Sequence, residues 1–210
     1  PIYFKDPLEY MDEIGMERFA AIVSDMDSDD AVDVLEELDD ATRKRLAPLL
    51  QADARKAIRL IRSYDEDEIG SQMTTNFVRI SQGISVKQAT RSLILQADKN
   101  DNINTIYVSD GERHYVGAID LKDLITAREY DDLEDIIVSS YPYVFAEEKI
   151  DACVDKIKEY AEDSIPVLDE ERRIVGVITA TDITELADEE MGEDYAMLAG
   201  MTEASDLDET

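Results

Sequence analysis

Residues 106 to 125, IYVSDGERHYVGAIDLKDLI, and residues 165 to 184, IPVLDEERRIVGVITATDIT, align without a gap at an offset of 59 and share nine of twenty positions. Upstream, Ser85 to Ala97 aligns to Lys149 to Ala161 at an offset of 64, so the first copy holds five extra residues around Asp98 to Asn104. Each copy reads as extended segment, helix, strand, Asp-containing turn, strand ending at Gly117 or Gly176, then helix. A period near 60 residues exceeds that of the common solenoid repeats. Two copies predict a pseudo-symmetric pair packed sheet to sheet.

The chain ahead of the repeats follows a different period. Between Ser28 and Leu38 the apolar residues Ala31, Val34, Leu35 and Leu38 recur at helical spacing, with Ser28 placed as the N-cap. Residues 41 to 63 carry seven basic residues and only Asp53, and Ala54, Ala57, Ile58 and Ile61 continue the stripe. The expected organisation is an all-helical domain over 1–63, a first repeat with its linker over 64–134, a second repeat over 135–190 and an acidic tail over 191–210. The short helices should stack as a bundle or superhelical array. The fold class is α+β.

Asp and Glu outnumber Lys and Arg 51 to 21, a net charge of −30 on 210 residues. Residues 1–40 hold fourteen acids against Lys5 and Arg18, and residues 182–210 hold eleven acids and no base. A chain that is 44% apolar can still build a core, so the acidity belongs to folded surfaces. Two carboxylates about 6 Å apart repel by roughly 2 to 3 kcal/mol at an effective dielectric near 20. If the two surfaces face each other, a cation is needed to hold them together. The charge argues against nucleic acid and against direct lipid binding. One cysteine, Cys153, makes no intrachain disulfide, which fits a reducing compartment. No apolar run reaches membrane-spanning length, so this piece alone is expected to be soluble. It opens at Pro1 and ends in acid, as an excised part of a larger protein would. Without a Cys/His cluster, a phosphate-cradling glycine loop or a nucleophile-base pair, an enzyme is not expected.

Ile165-Pro-Val, the Val116-Gly117 and Val175-Gly176 pairs, and the closing Asp123 and Asp182 resemble the CBS domain, a β-α-β-β-α module that occurs in tandem. Adding the acidic helical domain, the linker from Tyr64 to the Met73-Thr74 step and the terminal Gly192-Glu-Asp-Tyr, the whole chain resembles the cytosolic region of MgtE-type magnesium transporters. The resemblance implies a homodimer formed through the CBS domains, at the cytoplasmic face of the cell membrane. It also implies Mg²⁺ sensing, in which Mg²⁺ bridges the helical domain, the second CBS domain and a connecting helix leading to a transmembrane pore. The compact state would close the pore. The connecting helix and the pore are absent from this chain.

Mg²⁺ takes oxygen ligands, keeps several waters and is often held by one or two carboxylates, so two opposed acidic faces suit it. On the first face, Asp29, Asp30, Asp33, Glu36 and Glu37 share one flank of a helix. A solvated acidic face is the plain alternative for any one of them. The family pattern favours Asp33 and Glu37. On the second, Asp182, Glu185, Glu189 and Glu193 follow helical spacing, with Glu190 and Asp194 flanking. By resemblance, Asp182 and Glu185 face the helical domain, while Glu190, Glu193 and Asp194 face the connecting helix. Asp151 also matches an acidic family position. Lys158 and Ala161 depart from the pattern, with Glu159, Glu162 and Asp163 close by, which leaves the number of sites open.

The competing reading is an adenine-nucleotide-binding CBS module. In that mode the Asp closing a Gly-h-h-Ser/Thr-x-x-Asp turn holds the ribose. The second copy matches with Gly176, Thr179 and Asp182; the first, with Asp123, is damaged by Asp120 where phosphates should pass. ATP is thus a second candidate ligand, with Asp123 and Thr179 as its markers. Asp98 to Asn102 offers alternating oxygens, but Ile103 and Ser109 stand where an EF-hand needs Gly and Glu. His114 reads as a surface residue, Cys153 as core, and Tyr141-Pro-Tyr143 as the first strand of the second copy, its rings packing.

Overall fold

The computed structural model describes residues 7–160 and 162–186. Five helices come first: α1 (Pro7–Ile14), α2 (Met16–Asp25), α3 (Ser28–Glu36), α4 (Asp40–Leu46) and α5 (Ala52–Ile61). Each is amphipathic. In α5, Ile58 and Ile61 are buried while Arg55, Lys56 and Arg59 are exposed. Asp39 caps α4 by accepting from the amides of Ala41 and Thr42 at 2.9 and 3.0 Å. Phe19, Ala20, Val23, Leu35, Leu38 and Leu46 form the centre of this domain, and each large apolar side chain removed from water contributes about 1.5–3 kcal/mol.

The repeats follow as β1 (Val78–Ser81), α6 (Val86–Ala97), β2 (Thr105–Ser109), β3 (Tyr115–Asp120) and α7 (Leu121–Thr126), then β4 (Val144–Phe145), α8 (Ile150–Tyr160), β5 (Ser164–Leu168), β6 (Ile174–Thr179) and helical residues 180–186. Each repeat makes a three-stranded sheet whose first pair is parallel and second antiparallel. The pseudo-symmetry reaches the turns, where Arg113 and Arg172 both adopt positive φ, at 75° and 62°. Ser85 opens α6 with a capping box closed by Gln88.

The two sheets pack through Tyr107, Tyr115, Ala118, Leu168, Ile174 and Val177, with Phe77, Tyr141, Tyr143 and Phe145 around them. Tyr141 and Tyr143 lie before β4 rather than in a strand; their rings meet Tyr107 and Tyr115 edge to face at 6.3 and 5.9 Å. Pro142 between them has no N–H to give a ladder, which accounts for the short strand. The lead-in segments cross over. Thr74 exchanges both backbone hydrogen bonds with Val177 of the second repeat at 2.9 Å, and Val138 does so with Ala118 of the first at 2.8 and 3.2 Å. The glycines of the two Val-Gly pairs make room for this. A Cβ on Gly117 would stand 2.7 Å from the Val138 carbonyl oxygen, and one on Gly176 2.5 Å from Met73 Sδ.

The linker runs along the second repeat before reaching the first. The amides of Ile69 and Gly70 donate to the carbonyls of Glu148 and Ala146 at 2.9 and 2.8 Å. Ile69 and Met73 thereby join one continuous core with Phe19 and Leu38 of the helical domain and Val144, Cys153, Ile165 and Ile178 of the second repeat. That shared core sets the start of α3 against the second repeat.

Candidate cation site

Asp27 precedes α3 and Ser28 is its first residue. Ser28 does not cap the helix. Its Oγ lies 2.8 Å from Thr75 Oγ1 and accepts the Thr75 amide at 2.9 Å, and its own amide donates to Thr74 Oγ1 at 3.4 Å. The hydroxyl expected as a local cap is spent on docking the domain. Beside it, Asp27 Oδ1 accepts from Asn76 Nδ2 at 2.6 Å and from Thr74 Oγ1 at 3.4 Å.

Across from α3 stands the end of β6. Asp182 Oδ2 accepts from the amide and hydroxyl of Thr179, both at 2.8 Å, and the Asp182 amide reaches Thr179 Oγ1 at 3.4 Å. This reciprocal pair is a capping box at the start of the last described helix. It fixes where the Asp182 carboxylate points, and Oδ1 has no protein donor among the described residues. At the equivalent point of the first repeat, Asp120 itself caps α7 by accepting from the Lys122 amide at 2.7 Å.

Between these elements lies a cavity of about 450 Å³ lined by Asp27, Asp30, Asp101, Asp163, Asp182 and Glu185, together with Asn102, Asn104, Thr105, Ser164 and Thr179. Six carboxylates from the helical domain, the first-repeat loop and the second repeat face one space. Asp29, next to these residues on α3 but not part of the lining, is more strongly perturbed than any of them. Burial, then the charge of Asp182, push its carboxyl up to about 8, and its buried Oδ1 finds no hydrogen-bond partner. Burial also raises Asp182, with Asp27 and Glu185 adding to it and Thr179 opposing. Among the described residues, no three His, Cys, Asp or Glu side chains converge as a ready-made ligand set. A cavity lined by oxygen donors, with the orphaned carboxylate oxygen of Asp29 next to it, fits a hard cation that keeps much of its water.

Of the candidate ligands, Asp182 and Glu185 line this cavity, and Asp29, half-buried and outside the lining, feels the Asp182 charge. Asp33 and Glu37 lie further along α3 and at its C-terminal end, exposed and outside the cavity. Asp151 is exposed in the first turn of α8, and Asp123 is exposed on α7. Thr179 faces the cavity. Glu189, Glu190, Glu193 and Asp194 lie outside the described residues. Asp27 and Asp101 were not anticipated: one falls before the helical stripe begins, and the other sits in the loop that mimics an EF-hand. His114 contacts Asp110 at 3.0 Å in its turn, and Cys153 is buried.

Residues 5–67 match the MgtE intracellular N domain, and residues 66–130 and 133–189 each match the CBS domain. The magnesium transporter MgtE of Thermus thermophilus is 30% identical over 178 residues, covering 85% of this chain and 39% of that protein. The chain spans about two-fifths of the length of the curated relatives it matches, 39% and 43% for the first two. A crystal structure of the soluble part of a magnesium transporter superposes with a TM-score of 0.82 at 30% identity, covering 89% of this chain and 73% of that one. The cytosolic domain of the Mg²⁺ channel MgtE, crystallised in complex with ATP, superposes with a TM-score of 0.78 at 29% identity, covering 85% and 73%.

Proposed function

The chain belongs to the MgtE family, carrying its intracellular N domain and a CBS pair, and from that premise we propose that it is the cytosolic Mg²⁺-sensing region of a magnesium transporter. The observation that carries this reading is the burial of Asp29 of the helical domain beside Asp182 of the second CBS domain, with an oxygen left unpartnered. Bound Mg²⁺ supplies the positive charge that this meeting of carboxylates lacks. Asp27, Asp30, Asp182 and Glu185, which line the cavity, hold it from the two modules, partly through water, with Asp29 adding its charge beside Asp182. Without it, repulsion favours separation of the helical domain, and the compact state is populated in proportion to cation occupancy. The compact state closes the pore. Glu189, Glu190, Glu193 and Asp194 act at a second contact, toward the connecting helix; Asp33, Glu37 and Asp151 serve further ions on the outer faces.

The partners are the protein's own connecting helix and membrane pore, at the cytoplasmic face of the cell membrane, and a second copy held through the CBS domains. Ile94 and Leu95 of α6 and Ile125 of α7 support the dimer: they are 66%, 69% and 66% exposed, a cost in water that a second copy removes.

Titrating the isolated chain with Mg²⁺ while measuring its dimensions tests the sensing role; no compaction at millimolar Mg²⁺ overturns it. A second reading, adenine-nucleotide binding, is favoured by Thr179 and Asp182 lining the same cavity and by the ATP complex of the related cytosolic domain. Compaction or binding with ATP but not with Mg²⁺ moves the function there.

A further inference from the structure

Asn76 commits every one of its polar groups, each to a different partner around the cavity mouth. Its amide donates to Thr74 Oγ1 at 3.3 Å, its carbonyl accepts from Asn102 Nδ2 at 3.0 Å, its Oδ1 accepts the Asp101 amide at 2.9 Å, and its Nδ2 donates to Asp27 Oδ1 at 2.6 Å. The side-chain orientation is unambiguous, because the reverse would set a carbonyl against the Asp27 carboxylate and an NH₂ against the Asp101 N–H. Asp101 and Asn102 belong to the five residues that the first repeat has and the second lacks. Asp101 also lines a second cavity, of about 610 Å³, between that loop and α2, α3 and α5 of the helical domain. The insertion is therefore the part of the first repeat that reaches the helical domain.

We propose that Asn76 is a positioning residue that ties the inserted loop to Asp27, so that the place of the helical domain is passed to the first CBS domain as well as to the second. The regulatory half of this inference rests on the cation reading; the mechanical half does not. When α3 is docked, Asp27 holds the Asn76 amide, and the other end of that amide holds the loop at Asp101. When α3 leaves, the Nδ2 donor loses its charged acceptor and the loop loses its anchor. The Asn76 side chain then links α3 to the inserted loop, alongside the bond from Asn102 to the Asn76 carbonyl.

The test is a double-mutant cycle read by amide hydrogen exchange at Asp101, first at saturating Mg²⁺, where the wild type is at its most compact. Asp27→Ala should speed exchange at Asp101 about tenfold, the worth of one charge-assisted hydrogen bond. In an Asn76→Ala background the same substitution should add nothing. Unchanged exchange in Asp27→Ala, or additive effects in the double variant, overturns the proposal. Repeating the measurement from chelator to Mg²⁺ separates the two readings. The wild type should compact and protect Asp101, while Asn76→Ala should compact without protecting it. If Mg²⁺ moves neither in the wild type, the sensing role fails while the cycle, then the same with and without Mg²⁺, still decides the role of Asn76.

Discussion

The Asp29 carboxyl of α3 is buried beside Asp182 of the second CBS domain, and burial first, then the Asp182 charge, push it up to about 8 from an ordinary 3.8. A carboxyl in that position holds its proton at neutral pH unless something positive takes the proton's place. Proton and cation are thus alternative ways of keeping α3 docked.

This makes the cation response pH-dependent with a defined sign. The docked form holds the Asp29 proton up to about pH 8, whereas the separated form releases it near 3.8. Within that window the docked form binds more protons, so docking in chelator weakens as pH rises and reaches its lowest level above 8. Mg²⁺ affinity should move the other way, rising through the same window and flattening above it, with proton release on binding. Calorimetry in buffers of different ionisation enthalpy measures the released proton. A Mg²⁺ affinity independent of pH between 5 and 8 contradicts the arrangement.

Asp29→Asn should keep the helical domain docked in chelator and cut the Mg²⁺ response by about tenfold or more, since one buried charge no longer has to be neutralised. Asp33→Asn and Glu37→Gln, on the exposed side of the same helix, should shift the Mg²⁺ midpoint by no more than about twofold, as expected of solvent-screened charges. Scattering or fluorescence titrations of the three variants give the ranking. An Asp33 effect larger than that of Asp29 relocates the site to the outer face.

Ser28→Ala removes the hydroxyl that meets Thr75 at 2.8 and 2.9 Å in a buried position. Docking should weaken by about 1–2 kcal/mol, because a buried amide is left without its acceptor. Helix content should not change, since Ser28 does not cap α3. Urea unfolding with a parallel circular dichroism measurement distinguishes the two; a loss of helix signal before unfolding contradicts the docking role.

The proposed dimer makes a separate prediction. Leu95→Glu places a charge in the exposed apolar patch of α6 and α7, so sedimentation should show a monomer where the wild type is a dimer. A variant that sediments like the wild type puts the dimer surface elsewhere.

How far these features could be read from the chain depends on their range. The two offsets, 59 and 64, contain the repeat, the insertion and the symmetric crossover of Thr74 and Val138, because a repeated sequence imposes a repeated local fold. Cys153 and the Val-Gly glycines were legible for the same reason. Ser28 was misread because a hydroxyl before an apolar stripe normally caps the helix, and only the fold brings Thr75 within reach of it. The acidic flank of α3 was legible as a flank. Which turn of it meets Asp182 is decided by the shared core through Ile69 and Met73, and that core places Asp27 and Asp30 at the cavity and Asp29 near Asp182, and leaves Asp33 and Glu37 outside. Asp101 was invisible because its importance lies in a backbone N–H given to Asn76, which no spacing records.

The most direct test of the cation-closed account is small-angle scattering of the chain at pH 7.5, in chelator and at rising Mg²⁺, for the wild type and Asp29→Asn. The account predicts that the wild type contracts at millimolar Mg²⁺ while Asp29→Asn is already compact in chelator. A wild type with the same dimensions at every Mg²⁺ concentration contradicts it.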